Sequence, residues 1–171
     1  RPCVHVQGRM QAAGLPVPQI QAWDEAHGFM LLSDLGAQTA IERLDEAQPA
    51  AAHAWYLQAV DLLIDWQKSS RPGVLPAYDD ALLRRELQLF PDWYIPRHRQ
   101  ATLTDPQQAT LAKAFDTIVA QNLAAPSVFV HRDFMMRNLM VMDAAPTLPA
   151  ARGSLPDGLL GVLDFQDAVY G

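Results

Sequence analysis

In the last third of the chain, chemistry-bearing polar residues stand at the ends of short apolar runs, and this alternation constrains the fold more than any other feature. Val128-Phe129-Val130 leads into His131-Arg132-Asp133-Phe134-Met135-Met136-Arg137-Asn138. Leu139-Met140-Val141-Met142 follows at once, and Leu159-Leu160-Gly161-Val162-Leu163 leads into Asp164-Phe165-Gln166. Such runs are of strand length and too short for buried helices. The first is expected to be a short strand delivering His131 and Asp133, and the other two an antiparallel pair. Residues 143–158, rich in Pro, Ala and Gly and without periodicity, are expected to form a long loop. Closure entropy grows slowly with loop length, so the strand pair tolerates it.

The remainder reads as a strand pair followed by helices. Residues 4–14 form a helix ending at Gly14, a residue suited to a left-handed cap, and Leu15-Pro16-Val17-Pro18 runs extended. Gln19–Ala22 and Phe29–Leu32 are two strands joined by the turn Asp24–Gly28, and Ser33-Asp34-Leu35-Gly36 is a connector. Ala52, Trp55, Ala59, Leu62, Leu63 and Trp66 recur at helical spacing, a buried stripe that makes Trp55 and Trp66 core residues. Asp79 caps a helix whose apolar face is Leu82, Leu83, Leu87 and Phe90 and which ends before Pro91. Thr104-Asp105-Pro106-Gln107 is a capping box opening a helix with Leu111, Phe115, Ile118 and Val119 inward. The fold class is therefore α+β.

Composition removes several function classes. Half of the 171 residues are apolar and 19% are charged, which fits a domain with a substantial core. The apolar runs are too short to span a bilayer, so no membrane association is expected. The N-terminus does not read as a signal peptide, and the lone Cys3 cannot form an internal disulfide, so a cytoplasmic location is expected. Thirteen basic residues against nineteen acidic ones, with a net charge of −6 and no basic stripe, argue against a nucleic-acid partner. Oligomeric state is left open.

Asp164 is expected at the end of a buried strand, where a carboxylate is costly unless a cation compensates it. Mg²⁺ prefers hard oxygen ligands of the kind Asp164 and Asn138 offer. Any one of Asp133, Asn138 and Asp164 would alone be an ordinary turn-capping residue; their joint spacing, with an apolar strand before each motif, argues otherwise. His131 reads as a structural residue packed beneath the Asp164 turn. Arg132 and Arg137 either steer phosphate or neutralise the acidic loop. Glu86, Asp92, Trp93 and Tyr94 combine carboxylates with ring faces, which matches a pyranose; the competing reading is the end of an amphipathic helix.

H-R-D-x-x-x-x-N followed by D-F-x resembles the catalytic loop and magnesium motif of protein kinases. With Gln166 in place of the glycine, it resembles the aminoglycoside phosphotransferase/choline kinase branch of that superfamily. Phe129–Met135, Asn138–Val141, Gly161–Ala168, Glu86-Leu87, Leu89-Phe90, Asp92-Trp93-Tyr94 and Ala13–Pro18 are similar to the bacterial N-acetylmuramate/N-acetylglucosamine 1-kinases of peptidoglycan recycling. The resemblance implies a protein-kinase-like fold that is incomplete here. Residues 1–35 would be the end of an N-terminal lobe and the hinge, and 36–171 much of a helical C-terminal lobe with a catalytic-loop hairpin. It implies ATP and Mg²⁺ as cofactors, Asp133 as catalytic base, Asn138 and Asp164 as metal ligands, and Ser33 C=O and Leu35 N–H as adenine contacts. Glu86, Asp92, Trp93 and Asp167 would lie toward a small-molecule sugar or alcohol substrate, with His131 and Arg132 in support. The phosphate-binding glycine loop and its lysine would precede Arg1, so this chain is read as part of a larger protein and inactive alone. Rival readings are a kinase of aminoglycosides or other small alcohols, and a non-catalytic nucleotide- or sugar-binding remnant.

Overall fold

Gly14 closes the first helix as its conformational freedom allows. In the computed structural model, which describes residues 2–142 and 158–171, α1 runs Pro2–Ala12 and Gly14 adopts φ 81°. The N–H of Leu15 donates to Met10 C=O and that of Gly14 to Gln11 C=O, each at 3.0 Å. This paired closure satisfies carbonyls that the helix end would leave open. Buried Gln7 donates to Pro18 C=O at 3.1 Å, tying the extended proline segment to α1. Apart from Gly158, the loop expected at 143–158 lies outside the described residues.

The described chain divides into two compact units, residues 1–71 with 129–168, and residues 72–128 with 169–171. In the first, β1 (Ile20–Asp24) and β2 (Phe29–Leu32) pair antiparallel with Asp24 opposite Phe29. β3 (Gln38–Thr39) was not expected: a two-residue polar strand has no pattern of its own. It is a strand because it lies antiparallel against a later strand, Gln38 opposite Val141. A 3₁₀ turn at Ala40–Arg43 follows, then α2 (Pro49–Lys68) and β4 (Phe129–Val130). β5 (Leu139–Met142) and β6 (Leu159–Val162) are antiparallel as expected, with Leu139 opposite Val162 and Met142 opposite Leu159. The three-stranded sheet has the order β3-β5-β6.

Helix α2 braces both motif-bearing strands. Its Trp66 is completely buried, and the ring lies 4.7 Å from that of Phe129 on β4, centroid to centroid. Ser70 Oγ accepts the Phe129 N–H at 2.6 Å. On β6, the Leu160 N–H donates to buried Gln58 Oε1 at 2.5 Å, and the Val162 N–H to Pro16 C=O at 2.7 Å. Val6, Met10, Leu15, Trp55, Leu139, Leu160, Val162 and Phe165 are buried within this unit.

In the second unit, α3 (Asp80–Leu89) starts as the sequence predicts, Asp79 accepting the Leu82 N–H. Of the apolar face assigned to it, only Leu83 is buried; Leu82 and Leu87 are half-buried and Phe90 is exposed. The helical path also continues past Pro91, contrary to expectation. Residues Phe90–His98 form a π-helical segment in which Arg99 N–H reaches back to Tyr94 C=O at 3.0 Å. Pro91 falls in its first turn, where a missing N–H costs nothing.

Helix α4 (Asp105–Ala124) opens on the expected Thr104–Gln107 box. Of its inward face, spaced by four, only Val119 is buried, while Leu111 and Phe115 are half-buried; Ile118 stands off that stripe and is 42% exposed. The inward placement of Ile118 is thus corrected. β7 (Val169–Tyr170) completes the unit through Tyr78 N–H to Tyr170 C=O at 2.8 Å.

Candidate active site

The residue before Asp133 leaves the ordinary backbone regions. Arg132 has φ 77° and Asp164 φ 59°, both in the left-handed region that side chains other than those of Gly, Asn and Asp rarely enter. Backbone strain of this kind, of order 1–3 kcal/mol per residue, concentrates at functional sites. It persists here because the neighbours are fixed. His131 is 1% exposed, its Nε2–H donates to Leu163 C=O at 3.0 Å, and its ring meets Phe134 edge-on at 5.5 Å. Burial pushes the imidazole below its ordinary value, against smaller upward pulls from the Leu163 carbonyl and from Asp133 and Asp164.

Asn138 joins the two motifs. Its Nδ2 donates to the Asp133 carbonyl at 2.9 Å and to Asp164 Oδ2 at 3.2 Å, across 26 residues of sequence. Both partners are acceptor-only oxygens, so the amide nitrogen must face them and Oδ1 faces away. The backbone repeats the link, with Leu163 N–H on Asn138 C=O at 2.9 Å. Asp133 is exposed, and its carboxylate makes no hydrogen bond or ion pair among the described residues.

Asp164 departs from its expected setting. Although the strand before it is buried, Asp164 itself is exposed, because the chain turns outward at its left-handed backbone. Burial therefore does not force a cation onto it. What fits a hard cation is the donor chemistry of the two side chains, an exposed carboxylate on Asp164 and the amide oxygen of Asn138 that the hydrogen bonds leave unused. Among the described residues no group of three or more His, Cys, Asp or Glu is assembled for a metal, so a cation here would rely on Asp164, amide oxygens and its own ligand.

Sequence reasoning passed over one contact. Gln166 Nε2 donates to Asp164 Oδ1 at 2.6 Å. Its one signal in the sequence is its place two residues after Asp164. Arg132 Nη1 reaches Asp167 C=O at 3.4 Å, so Asp167 enters this unit through its backbone.

Ser33 and Leu35 lie in the same unit. Ser33 N–H donates to Gln19 C=O at 2.9 Å and its Oγ accepts the Gln19 N–H at 2.8 Å. Asp34 Oδ1 accepts the Gly36 N–H at 2.9 Å, which tightens the connector. The Ser33 C=O and Leu35 N–H make no hydrogen bond among the described residues.

The other candidates, Glu86, Asp92 and Trp93, belong to the second unit. Glu86 is held by the Tyr78 hydroxyl. Asp92 accepts from Gln88 at 2.8 Å and lines a cleft of about 440 Å³ with Gln88, Ile95, Leu111 and Phe115. Trp93 is 60% exposed, with the Arg97 guanidinium 5.8 Å from its ring centroid.

A fold of helices with small antiparallel sheets, carrying an Asp–Asn–Asp constellation on two adjoining loops, has the features of a phosphotransferase. The chain belongs to the phosphotransferase enzyme family (APH), whose model matches residues 2–171. It is 47% identical over its full length to the N-acetylmuramate/N-acetylglucosamine kinase of Pseudomonas aeruginosa, of which it covers 46%. It is 43% identical over its full length to the protein of that name from Pseudomonas putida, covering 45% of it. Over 91% of the chain it is 40% identical to the one from Neisseria meningitidis, covering 42%. The chain thus spans a little under half the length of these relatives. Among the described residues no helix is long and apolar enough to cross a membrane.

Proposed function

We propose that the protein to which this chain belongs transfers the γ-phosphoryl group of ATP to a hydroxyl of an amino sugar, with N-acetylmuramate and N-acetylglucosamine as substrates and the anomeric hydroxyl as acceptor. The observation that carries this reading is Asn138, which ties the Asp133 loop to Asp164. The names of the relatives support the sugar, and peptidoglycan recycling in the cytoplasm fits that activity. Family membership supports a protein-kinase-like architecture, with residues 1–35 as the end of the N-terminal lobe and hinge and 36–171 as part of the helical lobe.

In this reading Asp133 accepts the proton of the sugar hydroxyl. The hydroxyl oxygen bonds to the γ-phosphorus as the bond from phosphorus to the β,γ-bridging oxygen breaks, and that electron pair leaves with ADP. The exposed carboxylate of Asp133, without a partner among the described residues, suits this role. Asn138 Oδ1 and the Asp164 carboxylate would hold Mg²⁺, which when bound offsets the phosphate charge. The Ser33 C=O and Leu35 N–H, which make no hydrogen bond among the described residues, would receive the adenine edge. His131 and Arg132 would hold the loop, and Glu86, Asp92, Trp93 and Asp167 are the residues proposed as sugar contacts.

The test is a screen of the full-length protein with ATP against N-acetylmuramate, N-acetylglucosamine and aminoglycosides. Phosphorylation of either amino sugar at the anomeric oxygen is the expected result. Turnover of aminoglycosides alone would replace the substrate assignment, and nucleotide binding with no turnover of any acceptor would favour a non-catalytic role.

A further inference from the structure

An exposed aspartate ordinarily rotates freely, and a rotating carboxylate is a poor ligand because its ordering is charged against binding. Asp164 is exposed yet held at both oxygens, Oδ1 by Gln166 Nε2 at 2.6 Å and Oδ2 by Asn138 Nδ2 at 3.2 Å. Gln166 sits in a turn closed by the Ala168 N–H on Phe165 C=O at 3.1 Å, and Phe165 is buried beneath it. The turn therefore anchors the glutamine whose side chain reaches back two residues.

The chemistry of the two donors matters as much as their number. Both are neutral amides, so they fix the plane of the carboxylate without cancelling its charge, as an arginine or lysine in either place would. Each carboxylate oxygen has a second lone-pair direction, so the clamp leaves acceptor capacity for a cation. We propose that Gln166 is a positioning residue that pre-orients Asp164 for a divalent cation. The inference rests on the reading of Asp164 as a metal ligand.

The test uses the full-length protein with a non-hydrolysable ATP analogue and Mn²⁺ as the probe, read by electron paramagnetic resonance titration. Gln166→Ala removes the donor, and Gln166→Met removes it while keeping the side-chain length. Both are expected to weaken Mn²⁺ binding about tenfold or more, the range typical when a partner of a metal ligand is lost. Melting temperature and sugar KM at saturating Mg²⁺ should stay unchanged, and kcat should recover as Mg²⁺ is raised. Mn²⁺ affinity within about twofold of wild type in both variants, with binding abolished in Asp164→Asn, would overturn the role of Gln166 alone. Unaltered Mn²⁺ binding in Asp164→Asn would overturn the ligand assignment, and this proposal with it.

Discussion

Gln58 on α2 and Leu160 on β6 are joined by a 2.5 Å hydrogen bond, side-chain oxygen to backbone N–H, across 102 residues of sequence. Leu160 is 1% exposed, so its N–H has no solvent to fall back on. Gln58→Leu should leave that donor unsatisfied and cost about 1–3 kcal/mol, measured by urea denaturation. The substitution should loosen the strand that leads to Asp164. A variant as stable as wild type would show that the strand finds another acceptor.

Asp133→Asn tests the assigned base. The residue is exposed and its carboxylate has no partner among the described residues, so the fold should be unaffected. Turnover should fall about 10²- to 10⁴-fold, the usual contribution of a general base, while ATP-analogue affinity by calorimetry stays the same. Full activity would remove Asp133 from the mechanism.

His131 predicts a pH dependence of stability. Burial holds it below its ordinary value of 6.5, so the unfolded chain takes up a proton before the folded one as the pH falls. The stabilisation associated with the neutral ring is complete above 6.5 and is lost progressively as pH drops toward the lower folded value. Melting temperature should therefore fall from pH 7 to pH 5. In His131→Phe, normalised to its own value at pH 8, that part of the slope should vanish. An identical slope in the variant would assign the effect to other groups.

Gly36 in the connector and Gly161 on β6 should differ in their tolerance of alanine. At Gly36, φ is 109° and an added Cβ would stand 2.7 Å from the Val141 backbone oxygen, which cannot move without disturbing the sheet. At Gly161 the Cβ would meet the flexible ends of Leu35 at 2.8 Å and Met142 at 2.9 Å. Gly161→Ala should cost about 1–3 kcal/mol by overpacking. Gly36→Ala should cost more, because left-handed strain of about 1–2 kcal/mol is added to the backbone clash. Because Gly161→Ala displaces Leu35, it should also weaken ATP-analogue binding. Equal unfolding midpoints for the two variants would contradict this account.

Elements whose apolar pattern is their own were readable from the chain. The stripe from Trp55 to Trp66 became α2, and the Leu139 and Leu159 runs became paired strands, because all-apolar segments have few other places to go. Elements that borrow their structure were not. Gln38–Thr39 is a strand only by virtue of Val141 opposite it, and the π-helical turns after Leu89 depend on backbone spacing that composition does not encode. In the candidate site, the approach of Asn138 to Asp164 follows from an antiparallel pairing between their motifs. The outward exposure of Asp164 and the reach of Gln166 depend instead on a left-handed φ and a tight turn, neither of which has a residue signature here. The hold of the Tyr78 hydroxyl on Glu86 likewise has no signature in the sequence.

The contacts made by Gln58 and Pro16 have a further consequence. They occupy the outward N–H groups of Leu160 and Val162, the donors that a foreign strand would need in order to add to β6. An open sheet edge is a template for polymerisation. Here a helix side chain and a proline carbonyl take that template out of use, and the sheet stops growing at the strand that leads to Asp164.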